Sequence, residues 1–194
     1  MHRAHLPLIA VIAISVVQAA TAFAAPDAGA KARGAYGFYG QSAHHSFTSA
    51  RAHVDTYQRY LSETHGIAVP TSGRVEPAVV SAGVAASETV DPEIAREASD
   101  AIADDIGRIQ RHVDRMQARA TSLGDDATLA KLADVEKQLG VARRAHAALH
   151  EHHAGEAISP AEAMKLADQV NAALRAAHAE HDEVITRVGT TPNP

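Results

Sequence analysis

Four stretches of the chain repeat apolar residues at alternating steps of three and four, the spacing at which one face of a helix recurs. Over residues 44–65 the series is Phe47, Ala50, Val54, Tyr57 and Leu61. Beyond Asp91 it is Ile102, Ile106, Ile109, Val113, Met116, Ala120 and Leu123. Beyond Asp125 it is Leu132, Val135, Leu139, Ala142, His146, Leu149 and His153, and beyond Pro160 it is Ala163, Ala167, Val170, Leu174, Ala177, His181, Val184 and Val188. A sustained rhythm of this kind is a heptad seam, the pattern that packs one helix against another. In the third and fourth series, histidine takes positions that the rhythm assigns to the core.

The punctuation between the seams agrees with four helices. Gly66, Gly124, Gly155 and Gly189 follow the last periodic residue of each, where a left-handed stop is needed. Asp91-Pro92-Glu93 joins a capping side chain, a proline at the first helical position and an acid facing the helix dipole. Asp125 or Asp126 caps the third helix, and Ser159-Pro160-Ala161-Glu162 has the form of a capping box. The turns after the second and third helices are short, which forces antiparallel neighbours.

The expected fold class is all-α: an antiparallel three- to four-helix bundle over 44–189. An irregular N-terminal arm is expected over 25–43, where Gly29, Gly34, Gly37 and Gly40 surround Tyr36, Phe38 and Tyr39. A long crossover is expected over 66–91, which holds Pro70, Gly73, Pro77 and Gly83, and 190–194 reads as a tail. The pattern leaves open whether the first helix runs parallel or antiparallel to the second.

The chain opens on a signal-peptide pattern over 1–24. His2, Arg3 and His5 precede an apolar run from Leu6 to Val17, and Ala22-Phe23-Ala24 offers a small-x-small cleavage site. The run is shorter than the ~20 residues of a spanning helix, and no later stretch is apolar enough to span a membrane. The expected location is therefore outside the cytoplasm, periplasmic or extracellular. Cysteine is absent, so neither a disulfide nor a thiolate ligand is available. A net charge of −5 argues against nucleic acid as a partner.

Histidine changes the picture most. The chain has 13, and eleven of them lie beyond Ala24. His146, His150 and His153 recur at steps of four and three, so on a helix they share one stripe, with Cβ atoms roughly 5–6 Å apart. His178 and His181 are three apart, and Asp182 lies four after His178. Reflecting residue levels through the two short turns brings His112 of the second helix within about one turn of His178. A second candidate set is therefore His112, His178, His181 and Asp182, with Asp105 as an alternative carboxylate and His53 as a further ligand if the first helix packs there. His44 and His45 read as the solvated start of a helix, and His65 as a partly exposed helix-end residue.

Imidazole with carboxylate, and without thiolate, suits a first-row transition metal ion: zinc, copper(II), nickel or cobalt. No His-Glu-x-x-His pair is present, and Glu-x-x-His does not occur twice, so neither a metalloprotease nor a di-iron bundle is indicated. The expected function is an exported bundle that binds such an ion as a buffer, chaperone or sensor, with no catalytic step implied. The alternative is a structural or protein-interaction bundle with incidental histidines, associating through its seams with a protein partner or with itself.

Overall fold

The computed structural model describes residues 28–69, 89–155 and 157–190. The signal segment, the first residues of the expected arm, most of the connection over 66–91 and the end of the tail lie outside the described residues. Among the described residues there are four helices and no strand: α1 Ala28–His65, α2 Pro92–Leu123, α3 Asp126–His153 and α4 Pro160–Thr190.

The caps act as their sequences require. The Asp91 carboxylate accepts from the backbone N–H of Glu93 at 2.9 Å, with Pro92 at the first helical position. Asp125 caps α3 by accepting from the Thr128 N–H at 3.0 Å and from its hydroxyl at 2.7 Å. The Ser159 hydroxyl accepts from the Glu162 N–H at 3.4 Å, while the Glu162 carboxylate turns to Lys165 instead of closing the reciprocal half of a capping box. Gly66 and Gly124 take positive φ, 68° and 64°, which ends α1 and α2 in the left-handed region open to glycine.

The seams are the core. Phe47, Leu61, Ile102, Ile109, Met116, Leu132, Leu139, Leu149 and Leu174 are fully buried. Each contributes roughly 1.5–3 kcal/mol of apolar burial. The α2 seam ends at Ala120, because Leu123 is exposed on the last turn.

Helix α1 begins at Ala28 rather than His44, so the described part of the expected arm is helical. The heptad rhythm of α1 in fact extends backward: Tyr36, Gly40 and Ala43 lie at steps of four, three and four before Phe47, and all three are buried. A helical glycine costs roughly 0.5–1 kcal/mol relative to alanine. Burial of Tyr36, Ala43 and Phe47 outweighs that cost, which explains why a glycine-rich stretch stays helical. Gly40 has a further role. A Cβ placed there would lie 2.0 Å from Ile185 Cδ1, so its missing side chain lets α1 approach α4 closely.

The helices form a ring in the order α1, α2, α3, α4, with contacts between α1 and α2, α2 and α3, α3 and α4, and α4 and α1. Helices α2 and α4 face each other across the diagonal. Helix α1 is antiparallel to both of its neighbours. Against α2, Tyr39 lies under the Arg115 guanidinium at 5.5 Å and His53 meets Asp105. Against α4, His44 meets Asp182 and Asp55 meets Asn171. The 66–91 connection therefore joins two helix ends at one end of the bundle. The backbone bond from Val90 N–H to Ile158 C=O, 3.0 Å, ties its exit to the α3–α4 turn at that same end.

Candidate metal centre

At the end of the bundle remote from that turn, four side chains of α1 and α4 converge, three of them with donor atoms in mutual reach. His178, His181 and Asp182 sit at i, i+3 and i+4 on α4, so they share one helical face. His44 reaches them from α1, one turn beyond Gly40. The His44 Nδ1 lies 2.8 Å from His178 Nε2 and 3.1 Å from Asp182 Oδ1, and His178 Nε2 lies 3.6 Å from the same oxygen. Among the described residues, this is the one set of three or more His, Asp or Glu side chains whose donor atoms all lie within 4.8 Å of one another.

The triangle has too few places for protons. If the His44 nitrogen carries the hydrogen and donates to Asp182, the lone pair of His178 faces the carboxylate unopposed. If His178 donates to His44 instead, the His44 lone pair faces the carboxylate at 3.1 Å. If both nitrogens carry hydrogen, two N–H groups point at each other across 2.8 Å. Each proton arrangement leaves one edge repulsive, since a ring nitrogen is either donor or acceptor and a carboxylate only accepts. A divalent cation at the centre would satisfy all three lone pairs together. Ligands held at about 2.0–2.1 Å in a tetrahedral shell stand roughly 3.3–3.4 Å apart, and the three observed edges bracket that value.

The surroundings suit a partly sheltered site. Phe47, fully buried, stacks on the His178 ring at 5.0 Å and tilts against the His181 ring at 5.5 Å. Burial pushes the His178 imidazolium below its ordinary range, against the opposing pull of the Asp182 charge. The ring is therefore neutral near neutral pH, the form that binds a metal. The His44 and Asp182 side chains are 55% and 53% exposed, which leaves a route from solvent. His181 is fully buried beneath them, its Nδ1 3.7 Å from Asp182 Oδ1.

The other expected ligands lie elsewhere. His112 is on α2, diagonal to α4, and is half-buried between Arg111 and Arg115. Burial first, then those two cations, lowers its pKa. The reflection through the turns gave its level along the bundle but not its position around it. His53 Nδ1–H donates at 2.8 Å to buried Asp105, which also pairs with Arg108, so both lie outside the triangle.

At the opposite end, His146, His150 and His153 share the expected stripe but not a common centre. The His146 Nε2–H donates to the Ser99 carbonyl at 2.9 Å, and the Ser99 hydroxyl lies 3.1 Å from that nitrogen and 3.2 Å from His150 Nδ1. His153 Nε2 turns the other way, to the Tyr57 hydroxyl at 2.8 Å. These rings are bound by hydrogen bonds to α1 and α2 rather than to each other.

Sequence reasoning missed His44. Placing the start of α1 at that residue made it a solvated end. The signal that would have found it is the seam itself, which runs back without a fault through Gly40 to Tyr36 and puts His44 mid-helix beside the core.

No helix among the described residues is long and apolar enough to cross a membrane. No family model, no curated protein and no solved structure matches this chain.

Proposed function

We propose that this chain is an exported helical-bundle protein that binds a first-row transition metal ion through His44, His178 and Asp182, as a buffer, chaperone or sensor of that ion. The observation that carries the reading is the triangle of three donor atoms between α1 and α4, with edges of 2.8, 3.1 and 3.6 Å and no proton arrangement that satisfies every edge. Two imidazoles and a carboxylate suit zinc, copper(II), nickel or cobalt. Export rests on the leader-like pattern of residues 1–24.

The test is calorimetric titration of the chelator-dialysed protein with each of the four ions. One ion per chain is expected. Replacing His178 with alanine, or Asp182 with asparagine, should weaken binding by at least about 100-fold, more than the loss of an outer-shell partner usually costs. The triple replacement of His146, His150 and His153 by alanine should leave that binding in place. Absence of stoichiometric binding in the parent protein, or binding that disappears only in the triple variant, overturns the proposal.

A further inference from the structure

The Tyr36 hydroxyl at this end is buried without a hydrogen-bond partner, and His181 lacks one on both sides. His181 is fully buried, and neither Nδ1 nor Nε2 has a hydrogen-bond partner. A neutral imidazole has one donor and one acceptor, and an interior that leaves both unmet is costly. Phenylalanine or leucine would fill the same space without that cost, as Phe47 and Leu174 do nearby in the core. The other buried histidine of α4, His178, is engaged with His44 at 2.8 Å. The unmet lone pair of His181 lies on the site's inner side: its Nδ1 is 3.7 Å from the Asp182 oxygen that forms one corner of the triangle.

The geometry points to His181 as a fourth ligand, closing the site into a tetrahedral cage of three imidazoles and one carboxylate that suits zinc, an inference that rests on the metal-binding reading above. The triangle alone would leave a coordination position for water or substrate, the mark of a catalytic site; a fourth protein ligand fills it, the mark of a structural or storage site. His44 and Asp182 face solvent while His181 lies beneath, so the fourth bond forms from the interior side. His181 is not among the donors that all lie within 4.8 Å of one another, so its ring must swing toward the ion on loading, and coordination then supplies the partner that its lone pair lacks. A closed four-ligand shell of this kind holds its ion without exposing it to reaction, and it favours ions content with tetrahedral geometry over copper(II) and nickel, which prefer tetragonal or square-planar arrangements.

Cobalt(II) reports the difference, because water in place of the fourth imidazole keeps a tetrahedral field but loses a proton near neutral pH, so its visible bands shift with pH, whereas a closed four-ligand shell gives intense bands without that shift. The parent protein loaded with cobalt(II) is expected to show intense bands. The His181→Phe variant keeps the volume and removes both ring nitrogens. It is expected to melt at least as high as the parent without metal, to give bands that shift with pH above neutrality, and to bind zinc at least about 100-fold more weakly, beyond an outer-shell effect. Bands and zinc affinity unchanged in His181→Phe overturn the fourth ligand while leaving the three-ligand site standing. No cobalt or zinc bound by the parent overturns both. X-ray absorption of the zinc-loaded parent gives an answer that needs no variant: three imidazole shells per zinc support the cage, and two overturn it.

Discussion

His153 and Tyr57 show a buried ring with one of its two nitrogens engaged: Nε2 meets the Tyr57 hydroxyl, while Nδ1 has no hydrogen-bond partner. Burial pushes the His153 imidazolium down to about 4 and the Tyr57 hydroxyl above its ordinary range. Near neutral pH both groups are uncharged, and the Tyr57 hydroxyl shares one hydrogen bond with His153 Nε2 across 2.8 Å, its direction set by the ring tautomer. Tyr57→Phe removes the partner and leaves that nitrogen buried. The expected cost is about 1–3 kcal/mol, the penalty of an orphaned buried polar group. Adding His153→Phe should recover most of it, since replacing both partners by apolar groups of similar shape is close to neutral. Denaturant unfolding of the two single variants and the double variant gives the coupling directly. Additive losses would mean that the hydroxyl and the ring do not depend on each other. The same logic sets the stripe on α3 apart from the site on α4: residue type and spacing are alike in both, and only the partners differ. The sequence shows the spacing, but Ser99 and Tyr57, which absorb the α3 rings, come from helices whose rotation about their own axes the spacing does not set.

Most of the bundle was legible from the heptads because each seam is long, and a three-four rhythm over several turns leaves little choice of face. Aspartate and proline caps fixed where α2, α3 and α4 begin. The start of α1 was not legible by the same rules, because Gly34, Gly37 and Gly40 read as breakers while the seam through Tyr36, Gly40 and Ala43 reads as helix. Packing decides between the two signals. A Cβ at Gly40 meets Ile185 Cδ1 at 2.0 Å, whereas one at Gly37 meets nothing within 4 Å. The two glycines should therefore respond in opposite directions to the same change. Gly37→Ala should stabilise the protein by roughly 0.5–1 kcal/mol through helix propensity. Gly40→Ala gains the same propensity but overpacks the α1–α4 contact, and the net should be a loss of about 1–2 kcal/mol. Because His44 lies one turn along from Gly40, that displacement should also weaken metal binding, and shortening the opposing side chain with Ile185→Ala should restore it. Thermal melts and zinc titrations of the three variants check the point. Equal effects of the two alanines would show that the Ile185 side chain yields to the added methyl without displacing α1 from α4.

At the scale of the whole molecule, the ring order of the helices decides which histidines can meet. Levels along the bundle follow from the short turns, which is how His112 and His178 could be matched from sequence. The order around the ring depends on where α1 packs, and the 66–91 connection is long enough to allow more than one answer. Once α1 stands between α2 and α4, His112 lies across the diagonal and His44 takes its place. The result is a bundle with neutral, buried imidazoles at both ends, His153 at one and His181 at the other, each pushed down to about 4 by burial. Their ordinary value is 6.5. In the unfolded chain they take up protons as the pH falls through that value, and in the folded chain they do not until about 4. The folded state therefore keeps their full contribution above about pH 6.5 and loses it progressively down to about pH 4, where the loss levels off. Each depressed group is worth on the order of 3 kcal/mol over that window. Two such groups are a large part of the 5–15 kcal/mol typical of a folded domain. Metal-free protein should melt at a constant temperature above neutrality and at steadily lower temperatures on acidification, starting before carboxylates titrate. Saturating zinc should raise the neutral plateau, and the two curves should converge at the acid end, where the ligand rings of α4 are protonated and the ion is released. Scanning calorimetry with chelator and with zinc separates the two effects. His153→Phe should flatten part of the metal-free slope and leave the zinc increment unchanged, because that ring belongs to the far end of the bundle. A zinc increment that disappeared with His153 would place the ion at the α3 stripe and not between α1 and α4.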